Sequence, residues 1–558
     1  MRTTIHHFRK SRRGIFLLAS LGIVIGAMGL LRIIFVDHTV IQAATGGRLT
    51  EGVVGTPRFV NPVLADSRVD RDLVRLTFSG LLRKDANGDL VPDIASSYEI
   101  SEDEKTYTFT LREEVRFHDG NRIDASDVVF TVGLTQISSI QSPLRDAWKD
   151  ILISAPDNST VIFELPQPFA GFLAQTTLGI VPSHVWQSIP TEQITFSEYN
   201  TEPVGSGPFI VENISRNRAG VPTSYQLKPY RNYWLQPPFI RRLTFAFFPT
   251  EAALLRAFSQ RDIDTMSAVS PQSITGTPYR FLISTTLPRV FGMFFNTTRQ
   301  PLLGSEDIIK AVELAIDKEA LVAEVLGGFG TPLSGPLPPT LSTLEHNNSF
   351  DPAQAQQLLS TAGWEFREAG ATVRTNENGE SLQFTIATSD VPELKQTAEI
   401  IKRDLADVGI LVTINVFEIG SLESDIIQPR NFEALLFGQV IRHDTDIYAF
   451  WHSSQSGSDG LNITSYQNDD VDEALETALS TLDEGLRTNL YRTVEEEISR
   501  DQPGIFLYAP DFVYMTSTDI GNFDIGTITE PADRLWNVPT WFVTTERIWK
   551  FLQSNPTY

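Results

Sequence analysis

Residues 78–132 read FSGLLRKDANGDLVPDIASSYEISEDEKTYTFTLREEVRFHDGNRIDASDVVFTV, with turn signals, alternation and a helix start in close succession. Asn87-Gly88 predicts a tight hairpin turn of type I′, which needs positive φ at both central residues. Tyr107, Phe109 and Leu111 alternate with Thr106, Thr108 and Thr110, the period of a half-buried strand. Asp119-Gly120 marks a second turn. Asp124, with Asp127 three residues on, reads as a helix N-cap ahead of an apolar run. The stretch is therefore a small β-meander feeding a helix.

The chain around it is long enough for several cores. At 558 residues it exceeds the roughly 250–300 that one hydrophobic core supports, so two or three domains are expected. There are no cysteines, which excludes disulfides, thiol catalysis, cysteine-ligated metals and a lipidated cysteine anchor. Net charge is −24, and residues 1–36 carry six basic residues and no acid, leaving −30 on the remainder. Such a body is not a nucleic-acid binder, because it would repel phosphates. Five basic residues between Arg2 and Arg13 precede an apolar run from Gly14 to Leu31, and with Arg32 snorkelling the run reaches Val36. That span meets the roughly 20 residues a bilayer requires. The charge bias places the first thirteen residues in the cytoplasm and the body outside, on a single-pass anchor. A cleaved signal peptide is the rival, but Ile41-Gln42-Ala43-Ala44 makes a poor small-x-small cleavage site.

Helix and strand alternate towards the C-terminus. Ile308, Val312, Ala315 and Ile316, then Leu321 and Val325, keep helical spacing on either side of Asp317, which reads as the N-cap of a second helix. Asp351-Pro352 opens another helix that Gly363 closes, and residues 391–408 form a further one ended by Gly409. Ile410, Val412, Ile414 and Val416 then alternate as a strand, the α/β pattern of a parallel or mixed sheet.

Several motifs carry a resemblance. Gly80-Leu81 is followed by Gly88-x-Leu90-x-Pro92-x-x-Ala95-x-Ser97-Tyr98. Then come Tyr107-x-Phe109-x-Leu111-Arg112 and Val115-x-Phe117-His118-Asp119-Gly120 with Ala125-x-Asp127-Val128. This wording resembles the signature of the bacterial extracellular solute-binding proteins of family 5, the oligopeptide, dipeptide and nickel binders of ABC importers. GTPRFVNPVLADSRVDRDLVR (residues 55–75), Val204–Phe209, Tyr233-Trp234, Thr250–Ala253, Asp262–Asp264 and VFGMFFNTT (290–298) extend the likeness.

The resemblance implies a periplasmic-binding-protein-like type II α/β fold, in which two α/β lobes flank a ligand cleft. A smaller β-rich extra lobe and an N-terminal transmembrane helix complete it. The chain then divides into a basic tail and anchor (1–36), a linker (37–48), the first part of lobe I (49–80) and the extra lobe (81–200). The second part of lobe I (201–288), lobe II (289–504) and a return to lobe I with a C-terminal tail (505–558) follow. The hinge is expected near Arg289–Thr297. Val204-Gly205-Ser206-Gly207-Pro208 reads as a structural turn, since Pro208 and the β-rich residues after it do not open a phosphate-cradling helix. The same likeness makes His118 structural.

No catalytic constellation is present: the chain has no G-x-S-x-G elbow, H-E-x-x-H, Walker loop or G-x-G-x-x-G. His443 and His452 lack zinc-type spacing, and neither cofactor nor metal is expected. The candidate binding segment is Phe432–Gln467, where Phe437-Gly438 ends a predicted strand. Open α/β sheets bind ligands beyond the carboxyl ends of their strands. Arg442, Asp444, Asp446, Tyr448, Trp451, Asn462 and Tyr466 supply the charge, aromatic surface and amide of a pocket; a long solvated loop is the other reading. In peptide-binding relatives an aspartate shortly after a Gly-Trp pair holds the peptide's α-amino group. Here the pair is Gly438-Gln439, and Ile441 and Arg442 stand nearest that aspartate's place. Asp444 and Asp446 follow as substitutes, while Arg442 equally suits a carboxylate-bearing ligand.

The expected protein is a monomeric, membrane-anchored, extracytoplasmic solute-binding protein that passes peptides to an ABC permease. A ligand sensor uncoupled from import and an extracytoplasmic peptide hydrolase are the alternatives.

Overall fold

A computed structural model describes residues 21–28, 32, 35–85, 87–267, 269–344, 349–442 and 444–552. Among the described residues no helix is long and apolar enough to cross a membrane. Much of the expected anchor (14–20, 29–31 and 33–34) lies outside the described residues. The expected linker is partly ordered structure. Within it Thr39–Ala43 forms a strand antiparallel to Thr545–Trp549, with Thr39 opposite Trp549.

In lobe II the strand Ala434–Val440 has Ala434, Leu435 and Leu436 all buried, because the sheet is covered on both faces. Leu436 and Ala434 face the helices Glu306–Ala315, Lys318–Leu326 and Pro392–Asp407. Leu435 faces the opposite core with Asp469–Ser480 and Glu484–Asp501. The helix starts form as their capping residues predict: Asp317 accepts from the Ala320 N–H at 2.9 Å and Asp351 from the Gln354 N–H at 2.9 Å. Gly363 and Gly409 each take φ +87° at the ends of the helices they close. Strand Gln383–Ser389 runs parallel to both Leu411–Phe417 and Ala434–Val440. Leu411–Phe417 is an edge strand, so Val412 is buried whereas Val416 is exposed.

Lobe I is built on Gly46–Val54, which pairs in parallel with Ile240–Phe248 and with Thr265–Ser267. Two antiparallel segments connect it to lobe II. The first is Phe281–Thr286 continuing through Leu287-Pro288 into Arg289–Phe295, and the second is the strand Gly504–Thr516. The Gly504–Tyr508 half pairs with lobe II and the Asp511–Thr516 half with lobe I. At the crossing the Leu287 N–H donates to the Pro510 carbonyl at 3.0 Å.

The extra lobe is a four-stranded antiparallel sheet in the order Ala95–Ile100, Thr106–Leu111, Thr160–Glu164, Leu152–Ser154. Tyr107, Phe109 and Leu111 are buried and Thr110 is exposed, as the alternation requires. Asp124 and Asp127 form a reciprocal capping box at the start of Ala125–Gln136. The hairpin at Asn87-Gly88 differs from the expected type I′ turn. Gly88 takes φ +92°, but Asn87 is not left-handed, and Lys84 pairs with Leu90 across a longer loop. The Asp85 carboxylate accepts from the Asn87 and Asp89 N–H groups at 2.8 and 3.0 Å, which offers the backbone an Asx turn in place of the two-residue turn.

His118 joins the extra lobe to lobe I. Its Nδ1 accepts from the Gly205 N–H at 3.3 Å, and its Nε2 lies 3.0 Å from the Gly207 carbonyl, so the ring is a neutral Nε2–H tautomer. Burial lowers its pKa to about 4. The Ser206 and Gly207 N–H groups both donate to the Thr77 carbonyl, at 3.0 and 2.9 Å. A Cβ on Gly205 would stand 1.8 Å from that same oxygen, so glycine is required there.

Beneath lobe I lies a buried ionic cluster. The Arg534 guanidinium, fully buried, grips Asp72 bidentately at 2.7 and 2.8 Å and donates to Glu51 at 2.9 Å. The Tyr514 hydroxyl donates to Glu51 at 2.5 Å. Thus a residue near the C-terminus holds the first strand of lobe I and the helix Arg68–Thr77 together.

Replacing Arg534 with Met should cost about 3–5 kcal/mol, because two buried carboxylates lose their counter-charge; a urea midpoint implying less than about 1 kcal/mol would contradict this. The His118 pKa is lower folded than unfolded, so its contribution is complete above the unfolded value near 6.5 and is lost as pH falls towards 4. Between about pH 7.5 and 5 the wild type should lose about 2 kcal/mol more stability than His118→Gln, read from denaturation at each pH.

Candidate functional site

Strand directions locate the site. Gly504–Thr516 runs from lobe II into lobe I, and Arg289–Phe295 is antiparallel to it and so runs away from lobe I. Ala434–Val440 is antiparallel to Arg289–Phe295, with Val440 opposite Arg289, so its carboxyl end points back at lobe I. Gln383–Ser389 and Leu411–Phe417 share that direction. In lobe I, Thr265–Ser267 is antiparallel to the far half of Gly504–Thr516 and points towards lobe II, as do its parallel neighbours Gly46–Val54 and Ile240–Phe248. The carboxyl edges of both sheets therefore face each other across the crossing, which is where open α/β sheets receive ligands.

The lobe I edge ends in the turn after Val54. There Gly55 takes φ +103°, and Asp70 holds the loop by accepting from the Arg58 and Phe59 N–H groups at 2.7 and 2.8 Å. Below it the Arg68 guanidinium donates to Ser267 Oγ at 2.6 Å. Burial and the neighbouring Arg534 lower the Arg68 pKa to about 10. The extra lobe touches lobe II as well, through the Ala170 N–H donating to the Leu479 carbonyl at 2.9 Å.

On the lobe II edge the strand runs two residues past Gly438, to Val440, and the Ile441 N–H continues the ladder by donating to the Pro288 carbonyl at 2.8 Å. The expected long loop is interrupted by the helix Asp444–Trp451. Arg442 is exposed at the edge, and its N–H donates to Asp446 Oδ2 at 2.7 Å, so Asp446 shapes the turn into the helix. Asp444 opens that helix, and its side chain lies outside the described residues. Tyr448 is half-buried, with its ring stacked on His452 at 4.2 Å.

Of the remaining three predicted residues, Trp451 and Asn462 are buried and Tyr466 is half-buried. Trp451 is buried in the lobe II core against Phe506. Asn462 is fully buried; its amide donates to the Tyr466 carbonyl at 2.8 Å and accepts from the Tyr466 N–H at 3.1 Å, pinning the following segment. The Tyr466 hydroxyl donates to Asp501 at 2.6 Å. The structure thus gathers Arg442, Asp444 and Asp446 at the edge and uses Trp451, Asn462 and Tyr466 to hold the lobe itself.

Other groups at this edge escape a motif search. Gln439 is buried, and its Oε1 has no hydrogen-bond partner, an acceptor left open at a free-energy cost of about 1–3 kcal/mol. Gly438 leaves room for the Phe291 ring, which stacks on Tyr508 at 5.2 Å. Arg289 begins the strand beside them, half-buried. Burial and the charge of Arg442 lower its pKa. Among the described residues no group of three or more His, Asp or Glu side chains is placed to hold a metal ion.

This arrangement has known counterparts. Residues 89–460 match the family described as bacterial extracellular solute-binding proteins, family 5 Middle. Protein XP55 of Streptomyces lividans is 30% identical over 477 residues, covering 83% of this chain and 84% of that protein. The oligopeptide-binding protein AppA of Bacillus subtilis is 24% identical over 513 residues, covering 89% and 92%. The solved structure of that AppA, in complex with a nonapeptide, superposes with a TM-score of 0.67 at 22% identity over 90% of this chain and 100% of its own. The family match takes in more than half of the chain, and the chain belongs to the bacterial extracellular solute-binding proteins of family 5.

Proposed function

We propose that this protein captures peptides between the two facing carboxyl edges and delivers them to an ABC permease, making and breaking no covalent bond. The observation that carries this reading is the crossing itself. Two lobes with separate cores meet through two strand segments, and each segment carries a proline, Pro288 or Pro510, where it passes between them. Proline lacks the N–H that would continue the ladder, so between the Thr286–Asp511 and Phe291–Tyr508 pairs the two segments keep the Leu287–Pro510 bond to each other, and the lobes can close about this point. A ligand touching both edges favours the closed state by its contacts to each. Peptide backbone groups suit such edges, since main-chain hydrogen bonds give affinity with little side-chain selectivity. The family and the oligopeptide-binding relative support this ligand class.

The body is proposed to work outside the cytoplasm, tethered by the N-terminal apolar run, which would keep it at the permease in a chain without a lipidated cysteine.

Incubating the purified protein with a mixed pentapeptide pool and weighing the complexes by native mass spectrometry tests the reading. One intact peptide per chain and a smaller radius of gyration by X-ray scattering are expected. Cleaved products, or no retained peptide, would overturn it. With a retained peptide, Asp446→Ala should weaken binding about 10-fold or more, because the turn that presents Arg442 loses its charged acceptor. An unchanged calorimetric affinity would remove Asp446 from the site.

A further inference from the structure

Within the cleft read above as the peptide site, we infer that Arg289 and Arg442 form an anion-binding subsite that receives a carboxylate of the ligand. Register places them together. Arg289 lies opposite Val440, and the Ile441 N–H extends the ladder to the Pro288 carbonyl, so Arg442 follows two residues after Val440 on the side of the ladder that Arg289 shares. Diagonal neighbours of this kind lie within reach of each other's long side chains. The two guanidiniums stand at the carboxyl edge that faces lobe I.

Among the described residues neither guanidinium is satisfied within the fold: no carboxylate pairs with either, and no hydrogen bond is made by either guanidinium. Among the described residues Asp446 Oδ2 accepts from the Arg442 backbone N–H, not from its guanidinium. This is unexpected in a chain with 69 acids against 45 basic residues. Elsewhere in the molecule Arg71, Arg75, Arg280 and Arg534 all find carboxylates. Arg289 is half-buried and faces another cation, which is unfavourable for a self-contained fold and is relieved by an incoming anion. A pair of planar guanidinium forks matches a carboxylate bidentately, where a single ammonium would not. Phe291, on the same face and stacked against Tyr508, supplies an apolar ledge beside the charge. The selected solute is therefore one that presents a carboxylate at the lobe II edge, either a C-terminal carboxylate or an acidic side chain.

Three random pentapeptide pools separate the possibilities: free C-termini without Asp or Glu, amidated C-termini without Asp or Glu, and amidated C-termini containing Glu. Native mass spectrometry of the full body should show at least 10-fold greater retention of one acid-bearing pool over the acid-free amidated pool, and the retained pool identifies the source of the carboxylate. Arg289→Gln and Arg442→Gln should each remove that preference, and Arg289→Lys should keep part of it. In parallel, sodium succinate at constant ionic strength should raise the melting temperature of the wild type but not of Arg289→Gln. Equal retention of the acid-free amidated pool would overturn the anion subsite and leave peptide capture standing. Retention of no pool, with an Arg289-dependent rise in succinate, would overturn peptide capture and support the subsite. Retention of no pool and no such rise would overturn the subsite.

Discussion

Everything in this molecule depends on one antiparallel crossing. The segments 281–295 and 504–516 pair with each other on either side of the crossing, and each contributes one half to each lobe. Because the direction of Gly504–Thr516 is common to both sheets, it orients every strand that pairs outwards from it. The parallel strands of lobe I and of lobe II are thereby turned carboxyl end to carboxyl end. A cleft at that junction is a consequence of topology rather than of any single residue.

A second constraint closes lobe I on itself. Arg534 reaches back from the C-terminal region to Glu51 and Asp72, and Tyr514 on the crossing strand joins the same carboxylate. Five segments of the chain meet in this cluster, counting Arg68 through Ser267. Its charges balance, which is how so many ionised groups are tolerated away from water. The cluster lies under the lobe I edge, so the chain's end helps to set the position of its ligand-facing turn. Among the described residues lobe II has no equivalent cluster at its own edge, where no carboxylate pairs with Arg289 or Arg442.

Local signals read well wherever the physics is local. The alternation of Tyr107, Phe109 and Leu111 became a buried stripe, and Asp124, Asp317 and Asp351 each capped the helix after them. The turn at Asn87-Gly88 read poorly because the Asp85 carboxylate, two residues earlier, offered the backbone a competing bond. Residue type misled more in the candidate site. An aromatic such as Trp451 or an amide such as Asn462 suits a pocket wall and a packed core equally, and only the surrounding segments show which it is. Arg289 was invisible for the opposite reason: its interest lies in the partner it lacks, and no spacing encodes that.

The sequence by itself determined the family, the α/β class, most helix starts and the absence of thiol chemistry, because these rest on local propensity, composition and wording. Tertiary structure decided what each polar residue does. It turned Trp451 and Asn462 inwards, tied Tyr466 to Asp501, brought Arg289 beside Arg442, and left the Gln439 acceptor open at the edge. Burial, pairing and like-charge proximity are properties of segments far apart in the chain, and they exist only once the crossing strands have set those segments against each other.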